Sequence, residues 1–428
     1  SKAFDVEMVA SPDASPFARA VHFLNRFGYG PEPRLLAEIL LSSPVQMLRR
    51  ALAKGPDRQA LRGSEVRFPT GTSTYHISRR VVDMARRNDN PIRTRLLLFW
   101  ENHFTTWIRK VGAQSEWEEH LRFQDVASAD FGKLLRTSAH SPAMMLYLDN
   151  TRSFAGRINE NYAREIMQLF TIGLFELWDD GFVRLDPVQF NLIPTYDNDD
   201  IKELARVMTG MSWSTNSATA DNWNSPNLIR DNPPSNWYDD FSGNSWYSSR
   251  YNYPMAFYED HHDRGNKTIV GGVVISNNDR SNGRYRNEGD KDLRDVHNLL
   301  AGTQLNTTPK SFSSAWSSDP MVNHQTTPVF ISYRLIQRLV TSNPSGPYLY
   351  RVSQVWRNTN GQLDDVVRAI LLDPEARNLG TSELNPEYGR KKEPIIAWIQ
   401  ALRAVGGLPV HGGRVRAGYG LHLRLPQD

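Results

Sequence analysis

The sequence predicts a mainly α protein: a multi-helix globular domain with little β structure and one long, irregular, aromatic-rich insertion. Three observations predict it. Apolar residues recur at helical spacing up to about residue 211 and again over 290–405. Asn90-Pro91, Asn159 and Asp197 stand where helices would open, and Gly173 and Gly210 where they would stop. Between the two helical stretches, Ser212–Tyr258 is rich in Asn, Ser, Asp, Pro and aromatic residues and has little period of any kind.

Taken in order, Pro31–Leu41 and Pro44–Ala53 read as short amphipathic helices. From Asn90-Pro91 a longer one begins, with Ile92, Leu96, Phe99, Trp100 and Trp107 on one stripe. Asn159 caps a helix running to Thr171 or Ile172. Asp197 opens another, its first turn carrying Asp199 and Asp200, where negative charge suits the helix dipole. Val270–Ile275 reads as a short strand. Helices return at Asp290–Leu300, Pro328–Thr341, Tyr348–Trp356, Leu363–Leu372 and Glu393–Val405. The organisation expected is a helical core in two parts, 1–211 and 290–405, an insertion at 212–289 and an irregular glycine-rich tail at 406–428.

Bulk properties narrow the function. With 428 residues, 39% hydrophobic and 23% charged, the chain has the composition of a folded globular protein. A net charge of +3 is too small for a nucleic-acid binder. The basic run Arg79, Arg80, Arg86 and Arg87 is interrupted by apolar residues and reads as a solvated helix face. No stretch approaches the ~20 apolar residues of a membrane span. There is no cysteine, which removes disulfides, thiolate metal sites and cysteine nucleophiles. Ser1–Asp5 carries no export signal, so an exported form is expected to have lost it already.

Three constellations of polar residues stand out. His103 shares the apolar face of Ile92, Leu96 and Trp100 and so points inward, where an imidazole must find a partner. That partner is either a neighbouring core group or a metal or substrate proton. The second lies around His140–Asn150 and Asn159–Thr171. Tyr162, Ala163, Ile166, Met167, Leu169 and Phe170 cover a wide apolar arc, leaving a polar seam of Asn161, Arg164, Glu165 and Gln168. Such a seam faces a pocket or a polar network, or Arg164 and Glu165 tie neighbouring helices together. Asp149, Asn150, Asn159, Glu160 and Asn161 are an oxygen-rich group suited to a hard cation, although the spacing is no standard calcium loop and also suits caps and turns.

The third constellation is Glu259–Lys267, with His261, His262 and Asp263. Adjacent histidines in a strand face opposite ways, so one of them with Asp263 makes a site, or the segment is a polar turn. The insertion adds Trp223, Trp237 and Trp246 among many tyrosines, amides and carboxylates. Flat rings beside polar groups suit sugar faces, a protein interface or self-packing.

Several of these segments together resemble one bacterial family, called domain of unknown function 1800. They are Asn25-Arg26-Phe27-Gly28-Tyr29-Gly30-Pro31, Trp100-Glu101-Asn102-His103-Phe104, His140-Ser141-Pro142-Ala143-Met144, Tyr147-Leu148-Asp149-Asn150 and Asn159-Glu160-Asn161-Tyr162-Ala163-Arg164-Glu165. Asp200–Arg206 with Thr209-Gly210, His262–Thr268 and Pro328–Arg338 complete the pattern in the family's order. The resemblance implies a bacterial, typically exported protein and supplies no reaction. Family members often carry Glu where Gln168 stands, which weakens a two-carboxylate mechanism on that helix. They normally continue past a segment like Leu423-Arg424-Leu425-Pro426, so the tail is expected to run on beyond Asp428.

Two functions of different class follow. In the first, an exported hydrolase acts on an extracellular polymer. His103, Glu165, His140 and His262 are its catalytic candidates, and Arg164, Asn161, Trp223, Trp237 and Trp246 bind substrate. A divalent metal, calcium or zinc, would be held by His103, Glu165, Asp149 and Asp263, or a His/Glu pair would act without one. In the second, a non-catalytic surface or assembly protein uses the aromatic insertion to bind a protein partner or a polysaccharide. No nucleophile elbow, phosphate-cradling loop or zinc-protease helix is present.

Overall fold

The structure is a computed structural model. It describes residues 14–55, 82, 85, 90–213, 254–275, 288–302, 326–379 and 387–404, with the backbone of three short strands between 408 and 424. Trp223, Trp237, Trp246 and the basic run at 79–87 lie outside the described residues.

The protein is mainly α. Helices α1 (Pro16–Phe27), α2 (Pro33–Leu41), α3 (Pro44–Ala53) and α4 (Pro91–His103) come first. They are followed by α5 (Ile108–Val111), α6 (Ala113–Val126), α7 (Phe131–Ala139), α8 (Pro142–Tyr147), α9 (Asn161–Glu165) and α10 (Asn198–Val207). After two strand pairs come α11 (Glu288–Leu300), α12 (Thr326–Leu339), α13 (Gly346–Asn358), α14 (Leu363–Leu372), α15 (Pro374–Arg377) and α16 (Pro394–Ala404). Local chemistry sets many of these starts. Ser15-Pro16, Ser43-Pro44, Ser141-Pro142 and Asp373-Pro374 each place a capping side chain before a proline in the first turn, and each cap accepts a first-turn backbone N–H. Asp197 and Asp200 close a reciprocal capping box at α10.

β structure is slight among the described residues. Strand β1 (Met211–Ser212) pairs antiparallel with β2 (Ala256–Phe257), and β3 (Lys267–Ile269) with β4 (Val273–Ile275). The expected strand at 270–275 is therefore only half strand, because Gly271 and Gly272 turn a hairpin at positive φ. The tail, read as irregular, forms a three-stranded antiparallel sheet of β5 (Leu408–Val410), β6 (Arg414–Arg416) and β7 (His422–Arg424). Three-residue strands are too short to show a period, and the glycines that suggested irregularity fall between them.

The chain divides into two compact units. The first comprises 1–99, 333–348 and 364–428. Here Tyr29, Ala85, Ile396 and Ile399 form one core cluster, and buried Arg95 donates to the carbonyls of Gly28 and Arg338. The second comprises 100–332 and 349–363. Its core is aromatic: Trp100 meets Phe104 and Phe131, Phe131 meets Trp356, and Phe104 meets Phe123 and Phe170. Trp100 and Trp356 each donate their indole N–H to a carbonyl, of Ala127 and Ala301.

Two expected facings differ. The helix carrying Trp100 ends at His103, so Trp107 leaves the apolar stripe and stands 54% exposed. After Glu165 the chain winds as a π-helical turn, Ile166–Thr171, in which Ile172 N–H reaches the Met167 carbonyl. The wider turn rotates the following residues, and Leu169 points to solvent instead of joining the apolar arc. From Gly173 (φ 74°) the chain enters a projecting hairpin that ends at Tyr196, joined by bridges Phe175–Pro194, Leu177–Val183 and Leu185–Leu192.

Candidate acid–base site

The second unit gathers its ionisable side chains in two places. The first lies where α4 ends and α6 begins. Helix α6 carries Glu116, Glu119 and His120 at spacings i, i+3 and i+4, which puts all three on one face. Glu101 comes from the last turn of α4, Thr106 from the link after it, and Ser141 from the cap of α8. Glu119 and His120 are buried, whereas Glu101, Thr106 and Glu116 are partly open to solvent.

The hydrogen bonds leave a proton to be accounted for. Thr106 Oγ1 lies 2.9 Å from Glu119 Oε1 and 3.0 Å from Glu116 Oε2. A hydroxyl has one proton, so Thr106 either shares it between the two carboxyl groups or gives it to one of them, and crowding two acids around one donor favours a proton held on one of them. Ser141 donates to the other Glu119 oxygen. Burial, with Glu116 and Glu101 nearby, pushes the Glu119 carboxyl up to about 8 against the pull of the Ser141 and Thr106 bonds. Burial also raises Glu116. Glu119 therefore holds its proton at neutral pH, behind the more open Glu116.

Beside this pair, His120 Nδ1 is hydrogen-bonded to Glu101 Oε1, and the Trp117 ring stacks on the imidazole at 5.1 Å. The other ring nitrogen, Nε2, is buried and without a hydrogen-bond partner. Carboxyl groups and an imidazole thus share one small volume. Val111, Ala143 and Leu146 pack together nearby with Tyr147 and Trp213 against them.

The second place surrounds Phe257, whose ring meets His140 and His262 edge-on. His140 Nδ1 bonds the Met255 carbonyl at 2.9 Å, and its Nε2 lies 3.5 Å from Asp290. His262 Nδ1 bonds the Thr209 carbonyl at 2.9 Å. Its Nε2 lies 3.3 Å from Asp292 and 3.4 Å from the Lys267 ammonium. Lys267 also donates to Asp292 at 2.6 Å and to the Asp263 carbonyl. The side chains of His262, Lys267 and Asp292 are 0% exposed. Burial alone would raise Asp292, but His262 and Lys267 outweigh it and hold the carboxyl below its usual range. Gly210 (φ 80°) makes this packing possible, because a Cβ there would lie 2.7 Å from the Tyr258 carbonyl and 2.8 Å from the His262 nitrogen.

Of the four residues expected to be catalytic, His140 and His262 are thus brought together around Phe257. His103 is buried against Trp100, Phe104 and Phe170, its Nε2 3.0 Å from the Phe170 carbonyl. Glu165 is partly buried, raised by burial against the pull of Arg164, with Oε2 unpartnered. Arg164 pairs with Glu160 at 3.3 Å on the half-exposed surface. Asn161 donates to the Leu148 carbonyl and Asn159 to that of Asp149, so the oxygen-rich group is knit by turn and cap bonds. Asp149 pairs with Lys110 at 3.0 Å. Asp263 is gripped by both Arg206 nitrogens at 2.9 and 3.0 Å, which holds its carboxyl low against burial. Among the described residues no group of three His, Asp or Glu side chains is placed to hold a metal ion. No helix among them is long and apolar enough to cross a membrane.

Sequence reasoning passed over Glu116, Glu119 and His120. Their spacing beside Trp117 was the available signal. Glu101 and Ser141 sat inside quoted motifs without a role.

The sequence model of one family, described as protein of unknown function (DUF1800), matches residues 22–419. No curated protein and no solved structure matches the chain.

Proposed function

The chain belongs to the DUF1800 family of proteins of unknown function, and from that premise we propose that it is an exported acid–base hydrolase of an extracellular polymer, a glycan in the first instance. The observation that carries the reading is the Thr106 hydroxyl shared between Glu116 and the buried Glu119, an arrangement that favours a retained proton beside an imidazole. Glu116, the more open carboxyl, delivers that proton to the leaving oxygen as the polymer's C–O bond breaks. Glu119 resupplies it through Thr106. His120 Nε2, oriented by Glu101, takes the proton of the attacking water, so the overall reaction is addition of one water across one bond. Trp107, next to Thr106 and exposed, offers a flat face for a sugar ring. The tryptophans at 223, 237 and 246 remain candidates for the same role.

The test has two parts. Infrared difference spectra at neutral pH should contain a protonated-carboxyl band that vanishes in Glu119→Gln. Reducing ends should be released from bacterial surface polysaccharides by the wild type and not by Glu116→Gln. If no such band exists, or if Glu116→Gln hydrolyses as fast as the wild type, the reading fails.

A further inference from the structure

The hairpin that leaves the helix of Glu165 has no counterpart elsewhere among the described residues. Val188 is 81% exposed, Phe190 73%, Phe182 70% and Trp178 55%, and Leu174, Leu185 and Leu192 are exposed as well. Single exposed apolar residues are ordinary; a contiguous set on one projection marks an interaction surface. The projection is also rigidly built. Asp179 at its first turn accepts from Gln354 and Arg357, and Glu176 pairs with Arg184, which lies over Trp178. At its tip Asp186 accepts the N–H groups of Val188 and Gln189, and Phe190 sits at φ 57°, a left-handed conformation that an aromatic residue rarely adopts. That turn holds Val188 and Phe190 outward at a cost in backbone strain.

Charge narrows the occupant. Residues 174–196 contain four acidic residues and one basic; Glu176 is paired with Arg184 and Asp179 with Arg357, which leaves Asp180 and Asp186 as the negative charge the hairpin presents. A surface of anionic lipid or nucleic acid is therefore disfavoured, and an apolar hollow with a basic rim is what the tip fits. The first unit of the same chain has one. Beside α1 and α2 lies a groove of about 340 Å³ lined by Pro16, Ala20, Ile39, Leu40 and Pro44 together with Ser42, Arg19 and Arg377. Leu41, next to it, is 89% exposed. Residues 14–55 around the groove contain six basic residues and two acidic.

We propose that the 174–196 hairpin is a plug that seats in the α1–α2 groove of a second copy of this chain, so that copies associate head to tail. Plug and groove are different surfaces, so each added copy presents a free plug and a free groove, and assembly continues beyond two unless it closes into a ring. The inference is independent of the acid–base chemistry, and Phe190 and Leu40 belong to neither polar cluster.

Sedimentation velocity over a concentration series tests it. The wild type should self-associate, more weakly at high salt. Phe190→Asp removes the plug and Leu40→Glu fills the groove with charge; each variant alone should sediment as a monomer. Mixed in equal amounts, they should form a species of two chains and stop there, because one copy keeps only a plug and the other only a groove. That recovery also shows both variants to be folded. A wild type that stays monomeric, a Leu40→Glu protein that still self-associates, or a mixture that stays monomeric overturns the proposal. So does a monomeric wild type that floats with phosphatidylcholine vesicles in a Phe190-dependent way, which would assign the tip to a lipid surface.

Discussion

The knot around Lys267 and the cluster around Glu119 are both buried and both ionisable, yet they are built on opposite principles. In the knot, one ammonium, one carboxylate and one imidazole lie within hydrogen-bond reach of one another, and none of the three side chains is exposed. In the cluster, three carboxyl groups, an imidazole and two hydroxyls have no Lys or Arg bonded to them among the described residues, and part of the group is open. Burial of matched charges gives a tie that locks chain segments together. Burial of unmatched acids traps a proton. The second arrangement combines a buried carboxyl raised by burial with a part open to solvent, which is why the proposed site is placed there and not at the pair of histidines that the sequence made more conspicuous.

The contrast can be broken most sharply at Lys267. Replacing it with Met leaves Asp292 buried without its cation, and urea unfolding should show a loss of about 3–5 kcal/mol. Changing Asp292 to Leu as well should recover most of it, since an apolar pair replaces a tie at little cost. A silent Lys267→Met would mean that the knot is not a tie. Next comes Glu116→Gln, which should lower hydrolysis by about 10²-fold or more, the usual worth of a positioned acid, with the unfolding midpoint nearly unchanged.

Glu119→Gln should then change the pH dependence of stability. The folded value, about 8, lies above the ordinary glutamate value of about 4.3. Folding is therefore favoured by the proton in full below about pH 4.3, progressively less as the pH climbs, and not at all above about pH 8. The wild type should lose stability across that window at no more than about 1.4 kcal/mol per pH unit. The Gln variant, which cannot ionise, should lose the slope. An identical slope in both proteins would place the trapped proton elsewhere. The smallest expected effect is that of Trp107→Ala: stability within about 0.5 kcal/mol of wild type, as at other exposed positions, but weaker retention on a polysaccharide column.

Legibility followed range. Asn90 and Asp197 announced helix starts because a cap and its N–H groups lie within three residues of each other. The inward turn of His103 was visible in its stripe, and its bond to Phe170 was not, because that partner is 67 residues away. Leu169 and Trp107 were misread where an ideal helix was extended past a π-turn and past a helix end. Ser141 caps α8, and its hydroxyl also serves Glu119, 22 residues back.

By itself, then, the sequence determined the mainly α class, most helix positions and membership of the family, because periodicity and capping are properties of neighbouring residues. Tertiary structure alone decided which ionisable groups end in matched company and which are left with a surplus proton. Desolvation and shared hydrogen bonds depend on what distant segments bring to the same few ångströms, and no spacing along the chain encodes that.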